Sequence, residues 1–459
     1  MSKNKNKRGL MVWTVAIPLF LELVAVSSIS IMDVFFMSLI SDKAVAALGA
    51  TTQIIVVFTI LVRALTGGGG AIAAQHLGAR NRSQAIFTFM FTVILAIVCG
   101  VIFSLFLFLS RDRIGAWIGL EGETLGYSAK YLAVVGPGFF LLAVRTGYTT
   151  IASVIDQAKW NLICALISNV VNVCLNTVFV LGLLGSPKLG VLGVALATTI
   201  SYAVYLALIV VIVHKRLKVK FLFPANIVQR LLRMTWPVMK IAIPNSADLL
   251  SYLLFQVAIT IIVIQLGDEV LAAHTYVQQT MVFMGLWSFA IGQGQAIWTA
   301  HLVGAKEFDR AEYEVKRSIL RCLFGAMPAV TVLYLSSGYL FGLFTDNIFI
   351  LNTATTAVLA YFGIEVGRAF NATLSFSLAS SGDAKYPATL AIIFNWFVGV
   401  PTALLLAIVF KWGLLGALLG IAFDECARGP LNLLRWKSRK WTTKGVTISQ
   451  PENISVLYE

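Results

Sequence analysis

The chain has 459 residues, of which 58% are hydrophobic and only 12% are charged, and its mean hydropathy is +0.85. A soluble domain usually carries about 25% charged residues. With so few charges, a globular surface would leave a large apolar area in water. The composition therefore excludes a soluble enzyme, a disordered protein and a fibrous protein, and it predicts an integral membrane protein.

Apolar segments recur along the whole chain, and each is near the roughly 20 residues that a membrane-spanning helix needs. Helices are predicted because lipid leaves no partner for unpaired backbone groups. The sequence predicts an all-α membrane protein with twelve transmembrane helices. The segments lie at 11–39, 44–66, 84–109, 125–150, 160–184, 189–213, 238–266, 270–297, 316–343, 350–378, 388–410 and 412–434.

The predicted domains follow from these segments. An N-terminal bundle of six helices occupies residues 1–213, and a second bundle of six occupies residues 238–434. Between them, residues 214–237 form a basic, amphipathic linker whose Leu, Phe and Trp side chains fit a membrane interface. Residues 435–459 form a polar, flexible tail.

The formal net charge of +14 is explained by topology. Most lysines and arginines fall in every second connection between the predicted helices. These connections would all lie on one side of the membrane, and an excess of positive charge is typical of the cytoplasmic side. This bias predicts a multi-pass protein of the cytoplasmic (inner) membrane with both termini in the cytoplasm. It also accounts for the positive net charge, so no nucleic-acid binding is predicted. Three arginines, Arg63, Arg145 and Arg368, are counted within the spans, whereas basic residues nearer the span ends, including Arg428, are counted with the connections.

The two halves of the chain repeat each other. Short matching segments recur in the same order about 226 residues apart, which indicates two parallel six-helix units related by pseudo-twofold symmetry. The clearest pairs are Ala16-Ile17-Pro18 with Ala242-Ile243-Pro244, Gln53 with Gln279, Ala74–Ala79 with Ala300–Ala305, Ala158-Lys159-Trp160 with Ala384-Lys385-Tyr386, and Gly190–Gly193 with Gly413–Gly416.

Several of these features resemble the multidrug and toxic-compound extrusion (MATE) family of bacterial transporters. They are Pro18 and Asp33 on the first helix, the paired Ala-Gln/His…Gly-Ala segments, Gly382-Asp383-Ala384-Lys385, and the small-residue pattern that opens at Gly190. The resemblance covers residues 10–435. It implies a secondary antiporter that exports lipophilic organic cations or drugs in exchange for protons or sodium ions by alternating access.

Asp33 is the leading candidate for the cation-coupling site. An ionisable residue inside the membrane is costly and is a functional candidate by default. In the family, this aspartate is joined by polar residues at positions that correspond to Asn172, Asn176 and Thr198. This sequence departs from the family at Asn176, where aspartate is frequent. The alternatives are that Asp33 faces water at the outer helix end and that the asparagines only join helices by amide hydrogen bonds.

The C-terminal half offers candidates for the substrate cleft and its gating. Glu365 and Arg368 are three residues apart and can pair on one helix face, as packing or as part of the cleft. Asp248 follows Pro244 and supplies an acidic group. The neutral candidates are Gln53, Gln256, Gln279 and Asn371.

A flippase and a membrane enzyme are the two alternative classes of function. A flippase for a lipid-linked precursor has a related fold, but it requires a strongly cationic cavity, and three intramembrane arginines are few. A membrane enzyme requires a catalytic motif, and none is present. The five cysteines and four histidines show no metal-binding spacing, so no cofactor or structural metal is predicted. The predicted partners are small organic cations and the lipid bilayer, and the predicted state is a monomer.

Overall fold

The computed structural model describes residues 11–221 and 226–446, and these residues are helical almost throughout. Short π-helical turns interrupt the chain at Ile212–Arg216, Ala379–Asp383, Asn395–Gly399 and Leu405–Val409. The helices are α1 (Met11–Ser38), α2 (Asp42–Gly78), α3 (Arg82–Leu109), α4 (Arg111–Trp117), α5 (Gly122–Val154), α6 (Lys159–Leu181), α7 (Val191–Val211), α8 (Ile227–Ile264), α9 (Asp268–Gly304), α10 (Phe308–Gly342), α11 (Ile348–Ala357), α12 (Ala360–Leu378), α13 (Lys385–Phe394), α14 (Val400–Leu404) and α15 (Gly413–Lys437).

The twelve predicted spans are present as helices. Ten helical stretches of the described chain are long and apolar enough to cross a membrane, counting α11 with α12 and α13 with α14 as single stretches. The other two spans, α9 and α15, are as long but carry more polar side chains. The prediction of an all-α membrane protein with twelve spanning helices is therefore confirmed.

Three helix boundaries differ from the sequence prediction. Helix α2 continues to Gly78, so the glycines at 67–70 lie inside a helix and do not end it. Helix α8 begins at Ile227, so residues 227–237 of the predicted linker belong to a long helix. The short helix α4 was not predicted. Helices persist through glycine in this setting because an interrupted helix would leave backbone groups without partners in lipid.

The described residues form two compact units. The first, called here the N-terminal unit, comprises residues 21–73 and the described part of 82–238. The second, the C-terminal unit, comprises the described residues of 1–20, 74–81 and 239–459. The start of α1 and the end of α2 therefore group with the C-terminal helices. The predicted domain boundaries stay a prediction.

Each unit has its own apolar core. The N-terminal core is built on fully buried side chains such as Leu132, Phe139 and Val194. The C-terminal core contains Phe255 and Ile364 in the same role. Because lipid is as apolar as these side chains, van der Waals packing and not the hydrophobic effect holds such cores together. The cores fix the helix faces on which the polar residues lie.

In the C-terminal unit, α2 and α9 approach each other closely at two glycines that occupy equivalent positions of the repeat. A Cβ atom on Gly78 would lie 1.9 Å from the carbonyl oxygen of His301. A Cβ atom on Gly304 would lie 1.8 Å from the carbonyl oxygen of Gln75. The contact is reciprocal, because Gly78 and Gln75 occupy the repeat positions of Gly304 and His301. The repeated Ala-Gln/His…Gly-Ala segments therefore pack on each other, backbone against backbone.

The beginning of the predicted flexible tail is packed against the C-terminal unit, which corrects that expectation for residues 435–446. Asp383 is buried and accepts hydrogen bonds from Arg435 at 2.8 Å and Lys444 at 2.6 Å. The rings of Trp436 and Trp441 stack with centroids 4.2 Å apart. The Gly-Asp-Ala-Lys motif thus anchors the chain that follows α15.

Gly304→Ala tests the glycine crossing. The new methyl group has no space beside the Gln75 carbonyl, so we expect the free energy of unfolding to fall by about 1–3 kcal/mol, as for an overpacked core. The unfolding temperature of the purified protein in detergent measures this loss. Gly67→Ala is the matched control, because its Cβ meets nothing within 4 Å, and it should leave the unfolding temperature unchanged or higher. Equal stability of the two variants would contradict the crossing.

Exposed positions in the connections allow the predicted topology to be tested. Single cysteines at Lys306 and Thr443 should react with a membrane-impermeant maleimide only from the cytoplasmic side, and a cysteine at Leu184 only from the outside. The exposed Cys174 and Cys426 are first replaced by alanine. Labelling of positions 306 and 184 from the same side would refute the predicted orientation.

Candidate functional site

Asp33 lies in a buried polar site of the N-terminal unit, together with the three residues predicted to join it. Its side chain is 4% exposed. Asn176 and Asn172 donate their Nδ2 hydrogens to Asp33 Oδ1 at 3.0 Å and 3.3 Å. The Thr198 hydroxyl donates to Asp33 Oδ2 at 2.8 Å. The structure therefore brings all four predicted cation-coupling residues together, and it does not place Asp33 in water at a helix end.

Helical periodicity explains why these residues meet. Asn172 and Asn176 are four residues apart on α6 and share one face, where Asn176 Nδ2 also donates to Asn172 Oδ1 at 3.1 Å. One turn earlier, Asn169 instead donates to the Ala25 carbonyl at 2.6 Å and joins α6 to α1. Asn169 thus joins two helices by an amide hydrogen bond, which is the role that the structural alternative gave to Asn172 and Asn176.

Two tyrosines near Asp33 were not predicted. Tyr131 on α5 and Tyr202 on α7 both lie within electrostatic range of the Asp33 carboxylate. Neither is marked in the sequence by a charge or a motif. Their phenol groups add polar atoms to the surroundings of the carboxylate.

The Asp33 site is chemically suited to a small cation. The carboxylate forms no ion pair within the described ranges, so its negative charge is balanced only by neutral donors. Asn176 Oδ1 is buried and has no hydrogen-bond partner. Carboxylate, amide and hydroxyl oxygens are the ligands that hard cations prefer, and a carboxylate also accepts a proton.

In the C-terminal unit, Glu365 and Arg368 form the predicted pair. Their Oε1 and Nη1 atoms are 2.5 Å apart, and the Glu365 side chain is nearly fully buried. Ser288 donates a 2.8 Å hydrogen bond to the other Glu365 oxygen, and the hydroxyl of Tyr252 accepts from Arg368 at 3.4 Å. Every oxygen of the carboxylate is thus occupied.

A second charged group on α15 was missed from the sequence. Arg428 forms ion pairs with Asp424 and Glu425, and Glu425 accepts a 2.7 Å hydrogen bond from Asn371. Asn432 donates to Asn371 Oδ1 at 2.9 Å. From the sequence alone, Arg428 counts with a cytoplasmic segment because it lies near the end of an apolar run. The signal against that interpretation is that the charges of Asp424, Glu425 and Arg428 all fall within five residues of this run.

The other predicted cleft residues have different surroundings. Asp248 lies within electrostatic range of Arg428 and Glu425, and Gln256 donates to the Tyr252 hydroxyl at 2.8 Å. Both belong to the same polar region as Glu365 and Asn371. The side chains of Gln53 and Gln279 are exposed and are not drawn into either polar region.

The family assignment rests on a match to each half of the chain. The MatE family model matches residues 18–178 and again residues 244–405. The chain belongs to the MATE family. The two matches begin at Pro18 and Pro244, the prolines of the first repeated segment. Because the family consists of transporters, the membership agrees with the prediction that the chain is not an enzyme.

Similar proteins extend the comparison over nearly the full length. An uncharacterized transporter, YisQ, of Bacillus subtilis is 30% identical over 431 residues, which are 94% of each chain. A probable multidrug resistance protein, NorM, of Thermotoga maritima is 24% identical over 90% of this chain and 89% of its own. An outward-facing multidrug resistance MATE transporter superposes with a TM-score of 0.85 at 18% identity, covering 94% of this chain and 96% of its own.

Glu365→Gln tests the cost of breaking the buried pair. Removal of the carboxylate leaves Arg368 without its direct counter-charge, and we expect the free energy of unfolding to fall by about 3–5 kcal/mol. Replacing both residues, as Glu365→Gln with Arg368→Met, should recover most of this loss. Thermal unfolding of the purified variants measures both effects.

The exposed pair of Arg310 and Glu307, 3.0 Å apart, supplies the control. Glu307→Gln should change the stability by less than about 1 kcal/mol, because exposed ion pairs contribute little. A double variant no more stable than Glu365→Gln alone would show that the loss does not come from the unpaired arginine.

Proposed function

We propose that this transporter is a secondary antiporter that exports lipophilic organic cations or drugs in exchange for protons or sodium ions by alternating access. The observation that supports this proposal is the buried, unpaired carboxylate of Asp33 with its ring of neutral donors. The names of the relatives, a probable multidrug resistance protein and a multidrug resistance MATE transporter, agree with it.

Exchange requires that the coupling ion and the substrate oppose each other's binding. Asp33 is one negative charge in a buried site, so a proton or sodium ion that neutralises it also removes its attraction for an organic cation. This antagonism is a positive, unfavourable coupling free energy between the two ligands, and it acts equally in both directions. One carboxylate is sufficient for it.

The proposed coupling ions are H⁺ and Na⁺. Asn172, Asn176 and Thr198 would complete the oxygen and amide set around Asp33. The amide at Asn176 supplies no second negative charge, so it favours a proton or a weakly held sodium ion. The Asp248 and Glu365 regions of the C-terminal unit are proposed to act in substrate binding and gating.

The setting proposed for this activity is the cytoplasmic membrane, with both termini in the cytoplasm, small organic cations as substrates and a monomeric state. The alternative, a flippase for lipid-linked precursors, is less well supported. In the C-terminal unit, Arg321, Arg368 and Arg428 each form an ion pair with a carboxylate, which reduces the positive charge that a pyrophosphate group requires.

Asp33→Asn tests the coupling role. In proteoliposomes loaded with ethidium, wild-type protein should export the dye when an inward pH gradient or an inward sodium gradient is imposed separately. The variant should lose gradient-driven efflux by at least about tenfold, since the amide neither binds a proton nor carries a charge. The two gradients, applied one at a time, identify the coupling ion.

Asp112→Asn is the matched control, because Asp112 is largely exposed and pairs only with its neighbour Arg111. It should transport as wild type does. Equal gradient-driven efflux by wild type and Asp33→Asn would refute the coupling role. Efflux that responds to neither gradient in wild type would refute the antiport proposal itself.

A further inference from the structure

A second group of buried charges lies in the N-terminal unit, apart from Asp33. Glu22 on α1 and Arg145 on α5 are 8% and 6% exposed, and Arg63 on α2 is half-buried. The three charges interact electrostatically with one another. Two guanidinium groups against one carboxylate leave one positive charge in excess.

These charges do not touch. Within the described ranges, neither Arg63 nor Arg145 forms an ion pair with Glu22 or with any other carboxylate. Buried arginines elsewhere in the protein behave differently, as the direct pairs of Arg321 and Arg368 show. In the N-terminal unit the acid and the bases therefore act on each other at a distance and not through a direct ion pair.

Three buried polar atoms of this group have no hydrogen-bond partner. Glu22 Oε2, Arg145 Nη1 and Asn161 Oδ1 are buried and make no hydrogen bond. The Tyr205 hydroxyl links two of these residues, since it lies 3.1 Å from Glu22 Oε1 and 2.9 Å from the Asn161 carbonyl oxygen. The Arg145 guanidinium lies over the rings of Tyr202 and Tyr205 at 5.3 Å and 4.5 Å. Such atoms are costly when left unpaired.

The repeat relates this group to a group in the C-terminal unit in which the charged side chains bond directly. A shift of 226 residues relates Glu22 and Arg145 to Asp248 and Asn371. A shift of 223 residues, the offset of the Gly190 and Gly413 segments, relates Tyr202 and Tyr205 to Glu425 and Arg428. In the C-terminal unit, Arg428 and Glu425 bond directly, and Asn371 bonds to Glu425. In the N-terminal unit, tyrosines stand where that ion pair would be, and Arg145 is left without an acid.

The group lies on the same helices as the Asp33 site. Glu22 and Asp33 are eleven residues apart on α1, which is close to three full turns, so they share a helix face about 16 Å apart. Asn161 and Asn172 are related in the same way on α6. A molecule that moves along these faces passes both sites.

We propose that Glu22, Arg63 and Arg145 form a binding site for zwitterionic molecules, in which an anionic group binds the guanidiniums and a protonated amine binds Glu22. A carboxylate matches the free Arg145 donor, because guanidinium and carboxylate geometries are complementary. The free oxygens of Glu22 and Asn161 accept from an ammonium group. A ligand with only a positive charge meets two guanidiniums. This inference goes beyond the organic cations of the proposed function, and its test does not depend on transport.

The test compares ligands that differ in one charged group. The probes are L-phenylalanine, 2-phenylethylamine, which lacks the carboxylate, and 3-phenylpropanoate, which lacks the amine. L-tryptophan, tryptamine and indole-3-propanoate form a second series. Dissociation constants are measured by calorimetry on the full chain in lipid nanodiscs, without any ion gradient. Each amino acid should bind at least roughly tenfold more tightly than either of its single-charge relatives.

Two variants locate the preference. Arg145→Gln should reduce the affinity for the amino acid to that of the amine, and Glu22→Gln should reduce it to that of the propanoate. Arg63→Gln is a second variant for the anionic group if Arg145→Gln does not fold. Arg111→Gln removes a positive charge elsewhere in the same unit and should change nothing.

The possible outcomes separate this proposal from the antiport proposal. Asp33→Asn should keep the preference for amino acids even when it has lost gradient-driven efflux. Amines that bind wild-type protein as tightly as the amino acids would overturn the anionic half of the site, and propanoates that do so would overturn the cationic half. A preference unchanged in Arg145→Gln and Arg63→Gln would place the binding elsewhere.

Discussion

A polar group inside a bilayer has to find its partner within the protein, since no water is available to replace one. This constraint explains most of the side-chain arrangement described above. Arg368 and Arg428 are held by acids on their own helices, and Asp33 is held by amides and a hydroxyl from two other helices. The first solution pairs each guanidinium directly with a carboxylate. The second leaves a net charge, which is the condition for binding an ion that comes and goes.

The repeat shows how one architecture carries both solutions. The MatE model matches both halves. The charges nevertheless differ: position 33 is an aspartate, whereas the equivalent position 259 is a buried isoleucine. The two copies of the repeat therefore carry different charges on equivalent helices. Among the described residues, Asp33, Glu22 and Arg145 of the N-terminal unit are buried without a direct ion pair, whereas Arg368 and Arg428 of the C-terminal unit pair directly with acids.

Much of this organisation could be predicted from the sequence. Apolar length predicted the helices, and an acid inside a span indicated a functional role for Asp33. The family resemblance implied that Asn172, Asn176 and Thr198 join it. The missed parts share one physical cause, which is that a partner distant in sequence decides the outcome. Arg428 looks like a residue at a membrane surface until Asp424 and Asn371 are placed beside it. Gly67 looks like a helix end because propensity in water does not include the cost of broken backbone hydrogen bonds in lipid. The surroundings of Arg145 depend on Tyr202 and Tyr205, whose positions beside it are not visible in the sequence.

The crossing of Gly78 and Gly304 has a consequence for the history of the chain. Each copy of the repeat supplies one glycine and receives one carbonyl oxygen, which is how two identical polypeptides meet about a twofold axis. A half-length ancestor that paired with itself would have needed only one glycine to form both contacts at once. After fusion, the two positions mutate independently, yet a side chain at either one disrupts the same junction. Substitution at either position is therefore expected to have the same cost, although the flanking sequences of the two copies differ.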